Sequence, residues 1–115
     1  MTRHDDRARL QYMLDHAVET LRMAKGRTRQ DLDADRQLNL SLVRLLEIVG
    51  EAAARVSEET RSRYQSVPWL DVIGLRNRLI HAYDSVDFDI LWDIVQDDLP
   101  SLTAQLESLL LSEDV

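Results

Sequence analysis

The chain has 115 residues, a formal net charge of −7 and no cysteine. This length suits a single domain over residues 1–115, and the lack of cysteine excludes disulfides and thiolate metal sites. The N-terminus lacks the apolar segment of an export signal, and no stretch approaches the roughly 20 apolar residues of a membrane span. We therefore expect one cytoplasmic domain that is not bound to a membrane.

The charge is unevenly distributed along the chain. Residues 1–78 contain all 14 Arg and Lys together with 12 Asp and Glu, whereas residues 84–115 contain nine acids and no base. A net-acidic protein is an unusual binder of nucleic acid, because phosphates attract basic surfaces. The acidic C-terminal third is either a solvated helix face or a docking surface for a basic partner.

Two long helices are predicted in the first half of the chain. The first begins near Asp5 or Asp6 and stops at Gly26, since its apolar residues recur three and four positions apart. A polar linker, residues 27–35, separates it from the second helix, whose apolar residues recur in the same way up to Val56. The apolar positions are Leu10, Met13, Leu14, Ala17, Val18 and Leu21, then Leu38, Leu42, Leu45, Leu46, Val49, Ala52, Ala53 and Val56.

A short helix and a longer one are predicted next. Ser57 resembles an N-cap, and the short helix it starts runs to about Tyr64. Pro68 suits a first helical turn, so a helix is expected from about Trp69 to about Tyr83. This last helix contains the sequence RNRLIHAY, residues 76–83.

The remaining chain predicts a C-terminal helical segment. Asp87 can cap it, and Pro100 either kinks it or begins a new helix. Its apolar positions are Phe88, Leu91, Trp92, Val95, Leu99, Leu102, Leu106, Leu109 and Leu110. No alternating pattern competes with these helices, so the predicted fold is all-α, an antiparallel bundle of four to five helices.

The RNRLIHAY segment places polar side chains in a helix that otherwise looks like core. On an ideal helix, Arg76 and Tyr83 project together between two apolar groups, while Asn77 and His81 are i,i+4 neighbours on a polar arc. An arginine in that position requires a carboxylate, because an unpaired buried guanidinium is costly. The candidate partners are Glu51 and, second, Glu47, which lie one turn apart on the second helix.

These residue types allow one kind of chemistry. A histidine can transfer protons near neutral pH, and an arginine can stabilise the charge that develops on a phosphoryl group. RNA supplies its own nucleophile, the 2′-hydroxyl, so His81 and Arg76 could catalyse transesterification without metal or cofactor, with Asn77 orienting a phosphate or the imidazole. Arg78 is either a surface residue or a further phosphate contact. By itself, however, a histidine beside an arginine is more often an ordinary core or surface residue.

The segment GLRNRLIHAY resembles the R-x-x-x-x-H-x-Y signature of HepT-like toxins in the HEPN superfamily. The segments LLEIVGEAAARVS, VPWLDVIGLRN and VDFDILWDIVQDDLPSLTAQLESLL also resemble that family in the same order, so the likeness covers nearly the whole chain. The resemblance implies a HEPN-like helical fold and a metal-independent endoribonuclease that cleaves mRNA or tRNA as the toxin of a type VII toxin–antitoxin system.

The same resemblance implies roles for particular residues. It makes Arg76 and His81 the catalytic pair, with Asn77 as the polar residue after the arginine. Tyr83 corresponds to the tyrosine that an MntA-like nucleotidyltransferase antitoxin modifies with AMP, which would place phosphates beside the catalytic pair. The family further implies a homodimer with two motifs in one cleft, which could assemble with the antitoxin into a larger hetero-oligomer.

Two other functions are compatible with the sequence. The first is a non-catalytic helical subunit that binds a nucleotidyltransferase, and possibly a nucleotide, through the acidic C-terminal third. The second is a structural dimer in which the polar motif serves only the subunit interface. Co-purification with a partner, without RNA cleavage, would favour the first. Loss of dimerisation in Arg76→Ala while RNA cleavage persists would favour the second.

Overall fold

The structure, a computed structural model, describes residues 3–112, and the side chains of Arg3, His4 and Asp84 are not described. Within this range the regular structure is helical apart from one isolated bridge between Ile80 and Val86. The α-helices are α1 (Arg3–Ala24), α2 (Arg29–Ala34), α3 (Arg36–Arg55), α4 (Glu58–Arg63), α5 (Trp69–Ile73), α6 (Leu75–Leu79), α7 (Phe88–Asp93) and α8 (Leu99–Leu111). The predicted all-α class is confirmed.

Contacts at the helix ends fix the directions of the long helices. Near the start of α1, Asp6 accepts hydrogen bonds from the backbone N–H of Ser57 at 2.9 Å and from the hydroxyl of Thr60 at 2.6 Å, just beyond the end of α3. Beside it, Nη2 of Arg7 donates to the carbonyl of Leu110 at 2.6 Å, at the end of α8. Helix α1 therefore runs antiparallel to both α3 and α8, as expected for an antiparallel bundle.

The core is formed by the apolar faces of these long helices. Leu10 and Met13 of α1, Leu42 and Leu46 of α3, and Leu106 of α8 are completely buried. Burial of apolar side chains of this size is the main force that stabilises a domain of this length. None of the helices formed by residues 3–112 is both long and apolar enough to cross a membrane.

The linker predicted over residues 27–35 was wrong, because it contains helix α2. The backbone N–H of Thr28 donates to the carboxylate of Asp31 at 2.7 Å, which resembles one half of a capping box. Leu32 of α2 is completely buried, and its carbonyl accepts a 2.8 Å hydrogen bond from the buried side chain of Asn39. The T-x-x-D spacing was visible in the sequence, but one buried leucine in six residues is too few to show a helical period.

The predicted helix caps at Ser57 and Asp87 are confirmed. The Ser57 hydroxyl accepts from the backbone N–H of Thr60 at 3.2 Å, and the Asp87 carboxylate accepts from that of Ile90 at 3.1 Å. Each bond satisfies a backbone donor that has no partner within the first turn of its helix.

Helices α7 and α8 join into one helix through a π-helical turn. The turn spans Ile94–Asp98, and the backbone N–H of Leu99 donates to the carbonyl of Ile94, five residues earlier. Pro100 follows at once; it lacks an N–H, so it cannot donate to the carbonyl four residues before it. The extra residue of the π turn accommodates the hydrogen bond that Pro100 cannot make. The helix therefore continues through Pro100 instead of ending or beginning there.

The helix expected from Trp69 to Tyr83 was also wrong in its second half. It bends at Gly74, between α5 and α6, and ends at Leu79. Beyond Leu79 the chain turns back on itself instead of continuing the helix. His81 therefore lies in a loop and Tyr83 in a single 3-10 turn, Ala82–Asp84, and neither is on the helix that contains Arg76.

Candidate active site

The motif residues are held by a tight turn after α6. The backbone N–H of His81 donates to the carbonyl of Ser85 at 2.8 Å, and the N–H of Asp87 donates to the carbonyl of Leu79 at 2.9 Å. These bonds pair the two arms of the turn as a short antiparallel ladder. The pairing is non-local, which is why helical spacing did not reveal it. Asn77 on α6 and His81 in the turn are therefore not i,i+4 neighbours, as the sequence had suggested.

Tyr83 occupies the turn in an unusual conformation. It is the one residue other than glycine with a positive φ among those described, at φ 59° and ψ 31°, and its side chain is fully exposed. A tyrosine in the left-handed region costs about 1–2 kcal/mol relative to a residue in the right-handed region. Its ring gains no burial in return within the monomer. Such strain, in an accessible position, is typical of a residue that serves something other than stability.

Arg76 is exposed on α6 and pairs with Glu47 of α3. Nε of Arg76 lies 3.3 Å from Oε2 of Glu47, and the two side chains are 59% and 20% exposed. The favoured partner, Glu51, was wrong; it pairs with Arg44 on its own helix at 3.4 Å. Which turn of α3 lies opposite Arg76 is set by tertiary packing, and helical spacing within the motif segment does not reveal it.

His81 lies beside a carboxylate that the sequence had assigned only to helix capping. Nε2 of His81 is 3.7 Å from Oδ2 of Asp87, and the His81 side chain is 51% exposed. This distance exceeds that of a hydrogen bond but allows attraction to a protonated imidazole. One oxygen of Asp87 caps α7 while the other faces His81. The position of Asp87, six residues after His81, gave no sequence signal for this second contact, since it depends on the turn.

Two further motif residues, Asn77 and Arg78, lie on α6. Asn77 is exposed, which leaves its amide accessible. Arg78 is partly exposed and forms an ion pair with Asp98 of the π turn, with Nη2 3.2 Å from Oδ2. Arg78 thus links the motif segment to the C-terminal helix.

A glycine on α3 determines how closely the motif segment can approach. A Cβ atom at Gly50 would lie 2.9 Å from the carbonyl oxygen of Val72 and 3.9 Å from Cβ of Leu75. The first distance is shorter than real contacts allow, so only glycine permits this packing. Because Gly50 follows Glu47 by about one turn, this close approach brings Arg76 within reach of the Glu47 carboxylate.

The arrangement offers acid–base and phosphate-binding groups. A half-exposed imidazole and an exposed guanidinium stand on adjoining segments, and neither is enclosed by the core. An imidazole in water can give or accept a proton near neutral pH, and a guanidinium binds phosphate oxygens in a bidentate manner. Among the described side chains, those of residues 5–83 and 85–112, no group of three or more His, Cys, Asp or Glu could hold a metal ion.

Comparison with known proteins identifies the family. A family model described as "Ribonuclease HepT-like" matches residues 13–109, which include α3, the motif segment and most of α8. The chain belongs to the HepT-like ribonuclease family. The resemblance read from the sequence is therefore confirmed at the level of the family.

Individual HepT-like relatives match over almost their whole length. A protein of Methanocaldococcus jannaschii, provisionally named an RNase, is 32% identical over 93% of this chain and 98% of its own length. A Caldanaerobacter subterraneus protein with the same provisional name is 33% identical over 90% of this chain and 93% of its own. The provisionally named ribonuclease HepT of Thermococcus cleftensis is 33% identical over 84% of this chain and 91% of its own length. No solved structure matches this chain.

Proposed function

We propose that this HepT-like protein is a metal-independent endoribonuclease that acts in the cytoplasm as the toxin of a type VII HEPN/MNT-like toxin–antitoxin system and cleaves mRNA or tRNA. The observation that supports this most directly is the joint exposure of Arg76 and His81 on segments that adjoin. Membership in the HepT-like ribonuclease family and the provisional RNase names of its relatives support the same substrate class.

The proposed reaction uses the RNA's own 2′-hydroxyl. A neutral His81 imidazole removes the proton of that hydroxyl, and the oxygen attacks the adjacent phosphorus. The bond from phosphorus to the 5′-oxygen breaks, a protonated His81 gives that oxygen a proton, and a 2′,3′-cyclic phosphate remains. Arg76 binds the nonbridging oxygens and stabilises their charge in the transition state. The two histidines this requires come from the two subunits of the proposed homodimer.

Asn77 and Asp87 support this pair in the proposal. The exposed amide of Asn77 on α6 is available to donate to a phosphate oxygen beside Arg76. The Asp87 carboxylate, 3.7 Å from His81, attracts the imidazolium that forms when the histidine accepts a proton.

Silencing by an MntA-like nucleotidyltransferase is proposed to occur at Tyr83. The Tyr83 side chain is fully exposed at the tip of the turn that begins with His81, so a second enzyme can reach its hydroxyl. AMP units there place negative phosphates next to the catalytic pair, where they would repel an RNA backbone. Replacement Tyr83→Phe removes the acceptor hydroxyl and is expected to keep RNA cleavage while abolishing the antitoxin's effect.

The nuclease proposal is tested with purified protein and RNA in EDTA. We expect cleavage products that end in 2′,3′-cyclic phosphate, and a loss of at least about 100-fold in kcat for His81→Ala, the size of a general acid–base contribution. Gln65→Ala is the control, because that exposed side chain donates to the carbonyl of Ser62 in its own segment and lies outside the motif. Cleavage that persists undiminished in His81→Ala would refute the assignment of the site.

A second candidate, a non-catalytic subunit, is favoured by the acidic surface. Asp93, Asp97 and Asp98 of the C-terminal helix are exposed, and of these Asp98 pairs with Arg78. The acidic residues Glu113 and Asp114 lie outside the described residues. A stable complex with a basic nucleotidyltransferase, formed by protein that cleaves no RNA, would replace the nuclease with this function.

A further inference from the structure

A groove lies between α1 and α3 on the face next to the candidate site. It encloses about 420 Å³ and is lined by Arg9 and Tyr12 of α1 and by Arg44, Glu51 and Arg55 of α3, with Asp5 at one end. Three arginines line one groove of a protein whose net charge is −7. This local excess of positive charge is unexpected on such an acidic chain and is the kind of surface that binds phosphates.

Two arginines of the groove have weak or incomplete hydrogen bonding. Arg44 and Glu51 approach each other at 3.4 Å with both side chains more than half exposed, so water already competes for this pair. Nη1 of Arg9 is buried and has no hydrogen-bond partner among the described residues. A buried guanidinium nitrogen without a partner gains a hydrogen bond if the side chain turns outward to a phosphate oxygen.

An aromatic pair lies beside these cations. Tyr12 is half exposed, and its ring centroid lies 4.1 Å from that of His16 at an angle of 46°. Exposed rings next to arginines are the elements that bind single-stranded nucleic acid, because the cations follow the backbone and the rings stack on bases.

The groove adjoins the candidate site through α3. Arg44 precedes Glu47 by three residues and Glu51 follows it by four, so all three lie on neighbouring positions of one helix. Glu47 in turn contacts Arg76. A strand whose scissile phosphate is bound at Arg76 therefore needs to cross only α3 for its neighbouring phosphates to reach the groove.

We propose that the groove of Arg9, Arg44 and Arg55 binds the single-stranded RNA backbone next to the scissile phosphate, with Tyr12 stacking on a base. This subsite rests on the proposed nuclease function, which it extends from the catalytic pair to the path of the substrate. Since three phosphate contacts lie away from the reacting atoms, the groove contributes to the affinity for long RNA and not to the chemical step.

The test compares a long and a minimal substrate. In the double variant Arg44→Gln/Arg55→Gln we expect the KM for a single-stranded RNA of a dozen or more nucleotides to rise on the order of tenfold at low salt. The salt slope of log affinity should fall by about 0.7 for each phosphate that the variant no longer neutralises. Cleavage of a dinucleotide, which reaches the catalytic pair alone, should be unchanged. Tyr12→Ala should weaken the binding of long RNA, and Tyr12→Phe should restore it.

The matched control removes two positive charges elsewhere. Arg22→Gln/Lys25→Gln alters a different groove, at the end of α1 beside Pro100. If the control weakens the binding of long RNA as much as the groove variant, or if the groove variant binds long RNA normally, the proposal is wrong. It is also wrong if the groove variant changes the sedimentation coefficient, since the groove would then be an interface between two copies.

A separate binding measurement distinguishes failure of the proposed nuclease function from failure of the proposed RNA subsite. RNA binding is measured separately, by fluorescence anisotropy of a labelled single-stranded RNA. Binding that the groove variant weakens, in a protein that cleaves neither substrate, supports the groove and refutes the nuclease. Cleavage of long RNA with an unchanged KM in the groove variant supports the nuclease and refutes the groove.

Discussion

The ion-pair partner of Arg76 depends on which turn of α3 lies opposite it. Sequence reasoning expected it to be buried and to require a carboxylate, with Glu51 favoured over Glu47. The guanidinium is in fact 59% exposed and contacts Glu47. An exposed arginine can release its carboxylate for a phosphate at small cost, because surface ion pairs contribute only about 0–1 kcal/mol.

A double-mutant cycle tests the assignment of this pair. For Arg76→Ala and Glu47→Ala, chemical unfolding should give a coupling of about 0.2–1 kcal/mol, the range of exposed pairs. The same cycle for Arg76 and Glu51 should give no coupling, because Glu51 pairs with Arg44. A coupling to Glu51 that exceeds the coupling to Glu47 would contradict the described geometry.

Asp6 is the residue on which resistance to acid depends most clearly. Burial by itself raises the pKa of this carboxyl, but hydrogen bonds from Ser57 and Thr60 outweigh it and hold the pKa below its ordinary value of 3.8. A lowered folded-state pKa contributes stability above the unfolded pKa, and that contribution is lost as the pH falls through the folded pKa. The effect therefore lies in the window below about pH 4.

The variant Asp6→Asn should destabilise the protein by about 2–4 kcal/mol at pH 7, because several hydrogen bonds to a buried charge are weakened. Its free energy of unfolding should then fall less steeply than that of the parent as the pH drops below about 4. Urea unfolding at several pH values measures both effects. Asp15→Asn, at an exposed residue of the same helix, is the control. It should change neither the free energy of unfolding at pH 7 nor its dependence on pH. An unchanged acid slope in Asp6→Asn would contradict this role.

At the scale of elements, the close contact between α3 and the motif segment depends on Gly50. Gly50→Ala inserts a methyl group 2.9 Å from the carbonyl of Val72. Because the backbone on both sides has little freedom to shift, the free energy of unfolding should fall by about 1–3 kcal/mol, as is typical of overpacking. The shift should also separate Arg76 from Glu47. Gly26→Asn is the control, since nothing lies within 4 Å of that position and asparagine tolerates its φ of 77°.

Thermal or urea unfolding checks the Gly50 prediction. A Gly50→Ala variant that is as stable as the parent, or more stable because alanine favours helix, would show that α5 can move away freely.

Helix caps and apolar periodicity predicted most of the helices. The motif helix was predicted too long, because a tertiary contact ends it. Helices α1, α3 and α4 begin and end within a few residues of their expected bounds, since these depend on local signals. The motif helix ends early because Leu79 and His81 pair with residues across the turn. That pairing is a tertiary contact, and it overrides the helical preference of the segment.

At the scale of the whole molecule, the proposed dimer brings two motif sets together. Each chain has a mass of 13.3 kDa, so sedimentation should give a particle of about twice that value. If the two histidines of one dimer act together, adding excess His81→Ala protein should lower RNA cleavage well below that of the same amount of parent protein alone, because a mixed dimer has only one His81. An excess of a Gln65→Ala variant, changed at an exposed residue, should not lower it. Cleavage that stays unchanged with excess His81→Ala although the subunits exchange would show that each active site uses the residues of one chain.

The charge of the molecule is arranged by the fold and not by the sequence order alone. Along the chain, the bases precede the acids. In the structure, Arg29 of α2 pairs with Asp89 at 2.7 Å and Arg78 pairs with Asp98, so the basic and acidic regions neutralise each other at two points. The arginines between α1 and α3 stay apart from the acidic C-terminal helix, which leaves a basic groove on an acidic protein.

The sequence by itself determined the helical class, the long helices, the caps at Ser57 and Asp87, and the family, because these depend on periodicity, on local hydrogen bonding and on ordered sequence likeness. It also named the motif residues. Only the tertiary structure decided that Glu47 is the partner of Arg76, that His81 lies near Asp87, and that Tyr83 stands exposed in a left-handed conformation. Those features depend on where a chain turns and how closely two helices pack, and such contacts between distant residues have no period that a sequence can display.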